Sequence, residues 1–484
     1  MITFRKPSKI AAMATKTLYL STLPLLISLL SSASAFSPTD NHLVNCGSRA
    51  PVTRDFDHRA FIRDDSRFLT STRTIMIESS DPAHVPSSQL YATARAFDRP
   101  AHYVFPIRDR GTTHHLVRLH FYPIENDCHN LYESEFHVLV DGFLLLRNYR
   151  IPQSGDFPVI KEFAIPIAAA ADELKVTFVP SEKSKIGFVN AIEVISAPRD
   201  LIADVAQLVD FGKNERVDGL LINGFETVHR VNVGGFKVTP FNDSLWRTWV
   251  TDDEYLKSTD GFEKVHFGGR IKYRAGGASR EVGPDNVYNT ARVVKRSDNS
   301  IPNVNMTWSF SVEKGYKYMV RMHFCDIASI ATGMLYFNVY INGNLAYGNL
   351  DLSDATNWLL ASPFYADFVV GAENSGDLAV SVGPSNMSLP RAIDGILNGI
   401  EIWKLNNSMG SFDGMVCSES VWGSWKKGQT PILLPMFAAI VLLLFASVVI
   451  QRRRNNGVIG WSRLPMDVSE DNLKGGNRFS SIKA

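Results

Sequence analysis

The sequence predicts an all-β protein, two tandem jelly-roll β-sandwiches followed by a single transmembrane helix, on three observations. From Phe36 to about Leu405, short alternating apolar runs are broken by turn residues, with no sustained helical period. Two hairpins stand out: Phe136-His137-Val138-Leu139-Val140 before Asp141-Gly142, and Phe337-Asn338-Val339-Tyr340-Ile341 before Asn342-Gly343. Asp-Gly and Asn-Gly are the dipeptides that a two-residue type I′ turn demands. Phe136, Val138 and Val140 then share a buried face, as do Phe337, Val339 and Ile341. Finally, the hairpins lie roughly 200 residues apart, too far for a solenoid repeat and right for duplicated domains.

Other blocks repeat in the same order. Val44-Asn45-Cys46-Gly47 answers Val231-Asn232-Val233-Gly234, and Tyr91-Ala92-Thr93-Ala94-Arg95 answers Tyr288-Asn289-Thr290-Ala291-Arg292. Val117-Arg118-Leu119-His120-Phe121 answers Val320-Arg321-Met322-His323-Phe324, and Val189-Asn190-Ala191-Ile192-Glu193-Val194 answers Leu397-Asn398-Gly399-Ile400-Glu401-Ile402. Many short strands without βαβ alternation point to sandwiches.

Taken in order, residues 1–35 read as a secretory signal. Arg5, Lys6, Lys9 and Lys16 form its basic region, Leu18 to Leu30 its apolar stretch and Ala33-Ser34-Ala35 its cleavage site. Residues 36–210 are expected as the first domain, 211–405 as the second, with the boundary between Pro198 and Phe225, and 406–431 as an extracellular juxtamembrane linker. Trp422, Trp425, Lys426 and Lys427 suit interfacial anchors. Ile432 to Ile450 is uncharged, and at about 1.5 Å per residue it spans roughly 28 Å, close to a bilayer's hydrocarbon thickness. Arg452-Arg453-Arg454 follows as a stop-transfer flank, and 451–484 is a short cytoplasmic tail with seven basic and three acidic residues. The expected topology is single-pass type I at the plasma membrane, with the bulk outside the cell. Four Asn-x-Ser/Thr sequons, at Asn242, Asn305, Asn386 and Asn406, lie in the outer part, where glycan is expected.

A net charge of +1 offers no basic field for nucleic acid. Cys46, Cys128, Cys325 and Cys417 are too scattered for a disulfide-rich scaffold or a zinc site. One or two bridges fit an oxidising compartment, with connectivity unreadable, and Cys325 reads equally as a buried free thiol. Asp252-Asp253-Glu254 is the densest acidic cluster, but adjacent carboxylates diverge, so it reads as a structural turn. His114, His115 and His120 share no period that gathers three imidazoles, and an edge strand is the favoured reading. Without G-x-S-x-G, H-E-x-x-H or a P-loop, no enzyme, catalytic residue, cofactor or metal is expected.

Sugar recognition needs aromatic faces for pyranose rings and amides or carboxylates for hydroxyls. Tyr122, Tyr149, Tyr288 and Phe324, with Asn190 and Asp394, form the candidate ligand-binding set, against the alternative that they are core or edge residues of sandwiches. For a peptide, the groove between two linked domains is the natural place, though no residue there is singled out.

These blocks extend to Asp243-Ser244-Leu245-Trp246-Arg247-Thr248-Trp249, Asp252-Asp253-Glu254-Tyr255-Leu256, Trp308-Ser309-Phe310 and Arg391-Ala392-Ile393-Asp394-Gly395-Ile396-Leu397-Asn398-Gly399-Ile400-Glu401-Ile402-Trp403. Together, from about Asn41 to Leu405, they make the outer part resemble the tandem malectin-like region of plant receptor-like kinases of the Catharanthus roseus receptor-like kinase family. The resemblance implies a plasma-membrane ectodomain that monitors the cell wall. It also implies secreted RALF-type peptide ligands, a glycolipid-anchored co-receptor and contact with wall polysaccharide. Family members carry a cytoplasmic kinase, yet no Gly-rich loop, V-A-I-K, H-R-D or D-F-G follows the helix here. The expectation is a kinase-less receptor-like protein acting through a partner receptor kinase or as a decoy. The alternatives are a carbohydrate-binding wall anchor and a receptor kinase whose sequence continues past Ala484.

Overall fold

Asp141 and Gly142 close the first hairpin at φ 43° and 92°, and Asn342 and Gly343 the second at 50° and 79°, the left-handed pair that a type I′ turn requires. Val140 therefore faces Phe143, and Ile341 faces Asn344. Phe136, Val138 and Val140 are fully buried, as are Phe337, Val339 and Ile341. The computed structural model describes residues 36–81, 88–126, 128–152, 157–182, 184, 186–210, 213–294, 304–372, 376–389, 392–429 and 433–456. The expected signal over 1–35, Arg391, Ile432 and the tail beyond Asn456 lie outside them. The described chain is mostly β. Residues up to Trp425 form one compact unit and those from Lys426 another.

In the first unit, one long sheet runs through both halves. The first half contributes, in spatial order, Val159–Pro166, His114–Phe121, Ala191–Ser196, Asn41–Asn45, Ala60–Arg63 and Val52–Arg54. The second contributes Pro363–Gly371, Lys317–Cys325, Gly399–Leu405 and Phe225–Asn232, the counterparts of the first four. The halves join head to tail: Phe225–Asn232 pairs antiparallel with Val159–Pro166, Phe163 opposite Glu226 and Ala164 opposite Phe225. Val205–Asp210 pairs with Pro363–Gly371 and so extends the sheet at the second half's end.

Each half also holds a four-stranded and a three-stranded sheet. Between them and the long sheet lie two separate apolar cores, one around Val117, Phe136 and Phe178 and one around Val320, Phe337 and Val380. A third cluster, including Leu116, Phe225, Leu245, Met319 and Trp403, takes residues from both halves. Burying all of this surface drives the fold.

His114–Phe121 is not the edge strand that its histidines suggested. It pairs on one side with Val159–Pro166 and on the other with Ala191–Ser196, and all eight of its residues are buried. Its polar side chains are tolerated because they are bonded: His115 Nε2 lies 2.9 Å from Asp40 Oδ2, and His114 Nε2 lies 3.0 Å from Asn223 O.

After Leu405 the chain turns back across the first half. Leu144 N–H donates to Gly410 O at 2.9 Å and Phe412 N–H to Leu144 O at 3.0 Å, and Phe412 is fully buried in the first core. Gly414 N–H reaches Tyr316 Oη of the second half at 2.6 Å. Trp422 and Trp425, expected as interfacial anchors, instead pack with Val421 on Leu139, Leu144 and Val179. All four cysteines are free, Cys46 and Cys325 buried, so none of the bridges envisaged for an oxidising compartment is formed.

The second unit contains the helix Leu433–Asn456. Among the described residues it is the one helix long and apolar enough to cross a membrane, over Met436–Arg454. Pro435 stands in its first turn, where a missing N–H costs no helical bond.

Candidate recognition cleft

The duplicated blocks build the same buried constellation in each half. Tyr91 Oη lies 2.9 Å from His120 Nδ1, whose Nε2 lies 2.9 Å from Glu193 Oε1; Tyr288 Oη lies 2.9 Å from His323 Nδ1, whose Nε2 lies 3.1 Å from Glu401 Oε2. Asp64 accepts from Gly47 N–H at 2.9 Å, Arg95 at 2.8 Å and Tyr103 Oη at 2.8 Å. Asp252 accepts from Gly234 N–H at 3.0 Å, Arg292 at 2.5 Å and Trp308 Nε1 at 2.9 Å. Asp252 is thus the structural carboxylate expected of its cluster. These groups are sealed from solvent, which suits them to holding loops rather than to chemistry.

Where the halves meet, the constellations are wired together. Arg118 Nη1 donates to Glu193 Oε2 at 2.9 Å and Nε to Glu162 Oε2 at 2.5 Å. Arg230 Nη2 donates to Glu162 Oε1 at 2.6 Å and Nε to Glu401 Oε1 at 2.6 Å. Arg59 closes the other end, holding Glu193 at 2.9 Å and Asp55 at 2.7 Å. Burial alone pushes the Glu162 carboxyl up, but Arg230 and Arg118 overcome it and hold it far below the usual range. Glu193 behaves likewise under Arg118 and Arg59, and Glu401, held by Arg230 and His323, is drawn down to about 2. Burial pushes the His323 imidazole down and keeps it neutral, Glu401 opposing only in part.

This ladder floors an open cleft whose walls come from both halves, with Arg59 and Ile160 on one side and Pro240, Trp246, Val250 and Tyr255 on the other. The Arg59 guanidinium stands 5.8 Å from the Trp246 ring, and Trp246 has a left-handed backbone at φ 56°, an arrangement costly for an indole. Phe241, beside Pro240, is 73% exposed and Ile160 49% exposed. With the floor charges satisfied by one another, the rim offers a ligand apolar and aromatic surface around a rigid polar base, the composition of a recognition groove.

None of the six sequence-predicted binding residues lines this cleft. Tyr122, Tyr149 and Asn190 share a neighbourhood in the first half: Tyr122 N–H donates to Asn190 Oδ1 at 2.7 Å, and both tyrosines are half-buried. Tyr149 packs 5.3 Å from Phe121, and burial pushes its hydroxyl up to about 12. Tyr288, Phe324 and Asp394 are buried in the second half, Phe324 against Phe337 and Phe364. Asn190 and Asn398 are matched loop clamps, since Asn398 Oδ1 accepts from Cys325 N–H at 2.7 Å. What the sequence reading missed was Glu162. A signal existed, because Glu162-Phe163 and Asp367-Phe368 occupy equivalent strands and each carboxylate takes the central arginine of its half, Arg118 or Arg321. Arg59 has an echo in Arg247, since Asp55 with Arg59 and Asp243 with Arg247 pair at the same four-residue spacing, whereas Arg230 has none.

The malectin-like domain pattern matches residues 44–405. The chain belongs to the malectin-like domain family. Among its Arabidopsis thaliana relatives, the probable receptor-like protein kinase At5g24010 is 40% identical over 449 residues, covering 90% of this chain and 52% of the relative. Receptor-like protein kinase THESEUS 1 is 36% identical over 395 residues, covering 81% and 45%. These relatives are kinases of the Catharanthus roseus family, and the chain spans about half the length of the curated relatives it matches. The ANXUR1 extracellular domain from Arabidopsis thaliana superposes with a TM-score of 0.69 at 28% identity, over 77% of this chain and 98% of that one. A chain in the crystal structure of plant peptide RALF23 in complex with FER and LLG2 superposes with a TM-score of 0.67 at 31% identity, over 78% and 99%. In this malectin-like chain the match coincides with the region that carries both constellations and the cleft.

Proposed function

We propose that the outer part is a ligand-recognition module of two tandem malectin-like jelly-roll sandwiches, 36–210 and 211–405, displayed outside the plasma membrane on a single-pass anchor. Its ligand is a secreted RALF-class peptide, received at the inter-half cleft together with a glycolipid-anchored co-receptor. The observation that carries this reading is the likeness to a chain in the RALF23 complex with FER and LLG2, which spans 99% of that chain. The cleft supports it, since its lining residues Ile160 and Trp246, with the exposed Phe241 next to the lining Pro240, supply the apolar anchors on which peptide affinity depends. Signal output then passes through a receptor kinase partner, or the module competes for peptide as a decoy. The test is titration of full-length protein in nanodiscs with a synthetic RALF-class peptide, with and without co-receptor. Binding that weakens at least tenfold in Phe241→Ala, with the melting temperature unchanged, supports the proposal. Absence of binding, with no receptor kinase co-purifying from membranes, rejects it. Retention on a pectin array that is indifferent to peptide favours the wall-anchor alternative.

A further inference from the structure

Three loops of the second half, remote in sequence from the cleft residues, are pinned together at one end. Lys272 N–H donates to Ala361 O at 2.7 Å, Ser362 Oγ to Lys272 O at 3.2 Å and Arg274 Nη1 to Thr356 O at 3.1 Å, joining residues 267–283 to 356–362. Residues 326–333 join them through Ala361 N–H to Asp326 O at 2.9 Å and Gly333 N–H to Ser353 Oγ at 2.7 Å. Within this frame Asn357, Trp358 and Ala361 have left-handed backbones at φ 50°, 59° and 55°. Asparagine tolerates that region; tryptophan and alanine adopt it only when their surroundings impose it.

The strained turn displays apolar surface. Trp358 is 61% exposed and lies over Gly333, where an added Cβ would stand 3.1 Å from the ring; Ile330 is 87% and Leu359 37% exposed. Beside them Arg270 and Lys272 are exposed and Arg274 half-buried, and none of the three makes an ion pair among the described residues. Against them stand only the half-buried Glu281 within these loops and the exposed Asp354 on the adjoining short helix Leu352–Ala355, Asp326 being buried, which leaves the surface net basic. An indole with two aliphatic neighbours and uncompensated cations matches the composition of protein hot spots. A sugar site would offer hydrogen-bonding amides where Ile330 and Leu359 stand.

We propose that this end of the second half docks an acidic segment of a partner protein, one that seats an apolar side chain against Trp358 and Ile330 and sets carboxylates on Arg270 and Lys272. The surface is separate from the cleft and does not depend on what the cleft binds.

The test uses full-length protein in nanodiscs and three probes: a fluorescent twelve-residue Asp/Glu-rich peptide with one Leu-Phe pair, its lysine-for-acid counterpart, and decagalacturonate. Ile330→Ser alters a nearly free side chain. Arg270→Glu with Lys272→Glu leaves the backbone pins intact, so neither variant threatens folding. The expected result is binding of the acidic peptide alone, weakened at least tenfold by each variant and by raising salt, with Phe241→Ala beside the cleft silent. The proposal is overturned if the acidic peptide does not bind, if either variant leaves its affinity unchanged, or if the basic peptide binds equally. It is also overturned if decagalacturonate shows the charge dependence while Ile330→Ser has no effect, which assigns the surface to an anionic sugar.

Discussion

Arg230 Nη2 stands 2.6 Å from Glu162 Oε1, and the two residues come from different halves of the chain. Both are buried, and each also holds a partner in its own half, Glu401 for Arg230 and Arg118 for Glu162. A buried charge is tolerable only while paired, so the halves are held in one register by the cost of separating them.

Glu162→Gln removes the charge that two buried arginines share. The unfolding free energy of the unit that ends at Trp425 is expected to fall by roughly 3–5 kcal/mol, measured by chemical denaturation. Arg216→Ala, which breaks the exposed pair with Asp218, should change it by less than about 1 kcal/mol. Equal effects would refute the joint's role.

Stability should decline on acidification in two windows of the same sign. Burial pushes the His114 imidazole down to about 4 from an ordinary value of 6.5, so the unfolded chain binds that proton first and stability drains away between those values. Glu401 is held at about 2 against an ordinary 4.5, so its contribution is complete above 4.5 and lost as pH falls toward 2. A melting temperature recorded from pH 7.5 to 3 should be nearly flat at the top, slope gently below 6.5 and fall steeply below 4.5. A rise on acidification contradicts both assignments.

Gly47 and Gly234 occupy equivalent turns at φ 78° and 72°, and an added Cβ would stand 2.2 Å from the carbonyl oxygens of Ala94 and Ala291. Alanine at either position should cost more than the roughly 1–3 kcal/mol of backbone strain alone. Gly261→Ala, at φ 82° with open space around it, should show only the strain. Comparing melting temperatures of the three variants separates clash from strain.

Phe412→Ala should cost about 3–5 kcal/mol, as a fully buried phenylalanine does elsewhere. Its local signature is faster amide exchange over residues 407–425 with the second core unaffected. Uniform exchange across both halves would show that the returning segment is not a separable element.

Asn242, Asn305 and Asn386 are exposed, whereas Asn406 is half-buried, accepting from Gly224 N–H at 2.7 Å and donating to Asn407 O at 2.8 Å. Substituting the first three by glutamine is expected to shift mobility by one glycan each. Asn406→Ala is expected to leave mobility unchanged and to cost roughly 1–3 kcal/mol through the stranded amide. A glycan found at Asn406 contradicts this.

The local chemistry was legible in the sequence because it is periodic or repeated. Asp141-Gly142 and Asn342-Gly343 announce their turns by composition, and Ile432 to Ile450 announces a helix through length and lack of charge. The repeated blocks contain Tyr91, His120, Glu193 and their counterparts Tyr288, His323 and Glu401. Neither the function of the aromatics nor the cleft could be read the same way. A tyrosine in an alternating strand reads identically whether its ring faces a sugar or a histidine, and only packing placed Tyr288 on His323.

By itself the sequence determined the β character, the duplication, the turns and the apolar helix, all of which depend on neighbours along the chain or on comparison of one half with the other. Tertiary structure alone decided that the halves share one sheet, that Glu162 and Arg230 meet across it, and that the segment after Leu405 folds back onto the first half. Those contacts join residues that no period or repeat relates, and they form because burial forces each charge to find its complement wherever the fold brings one within reach.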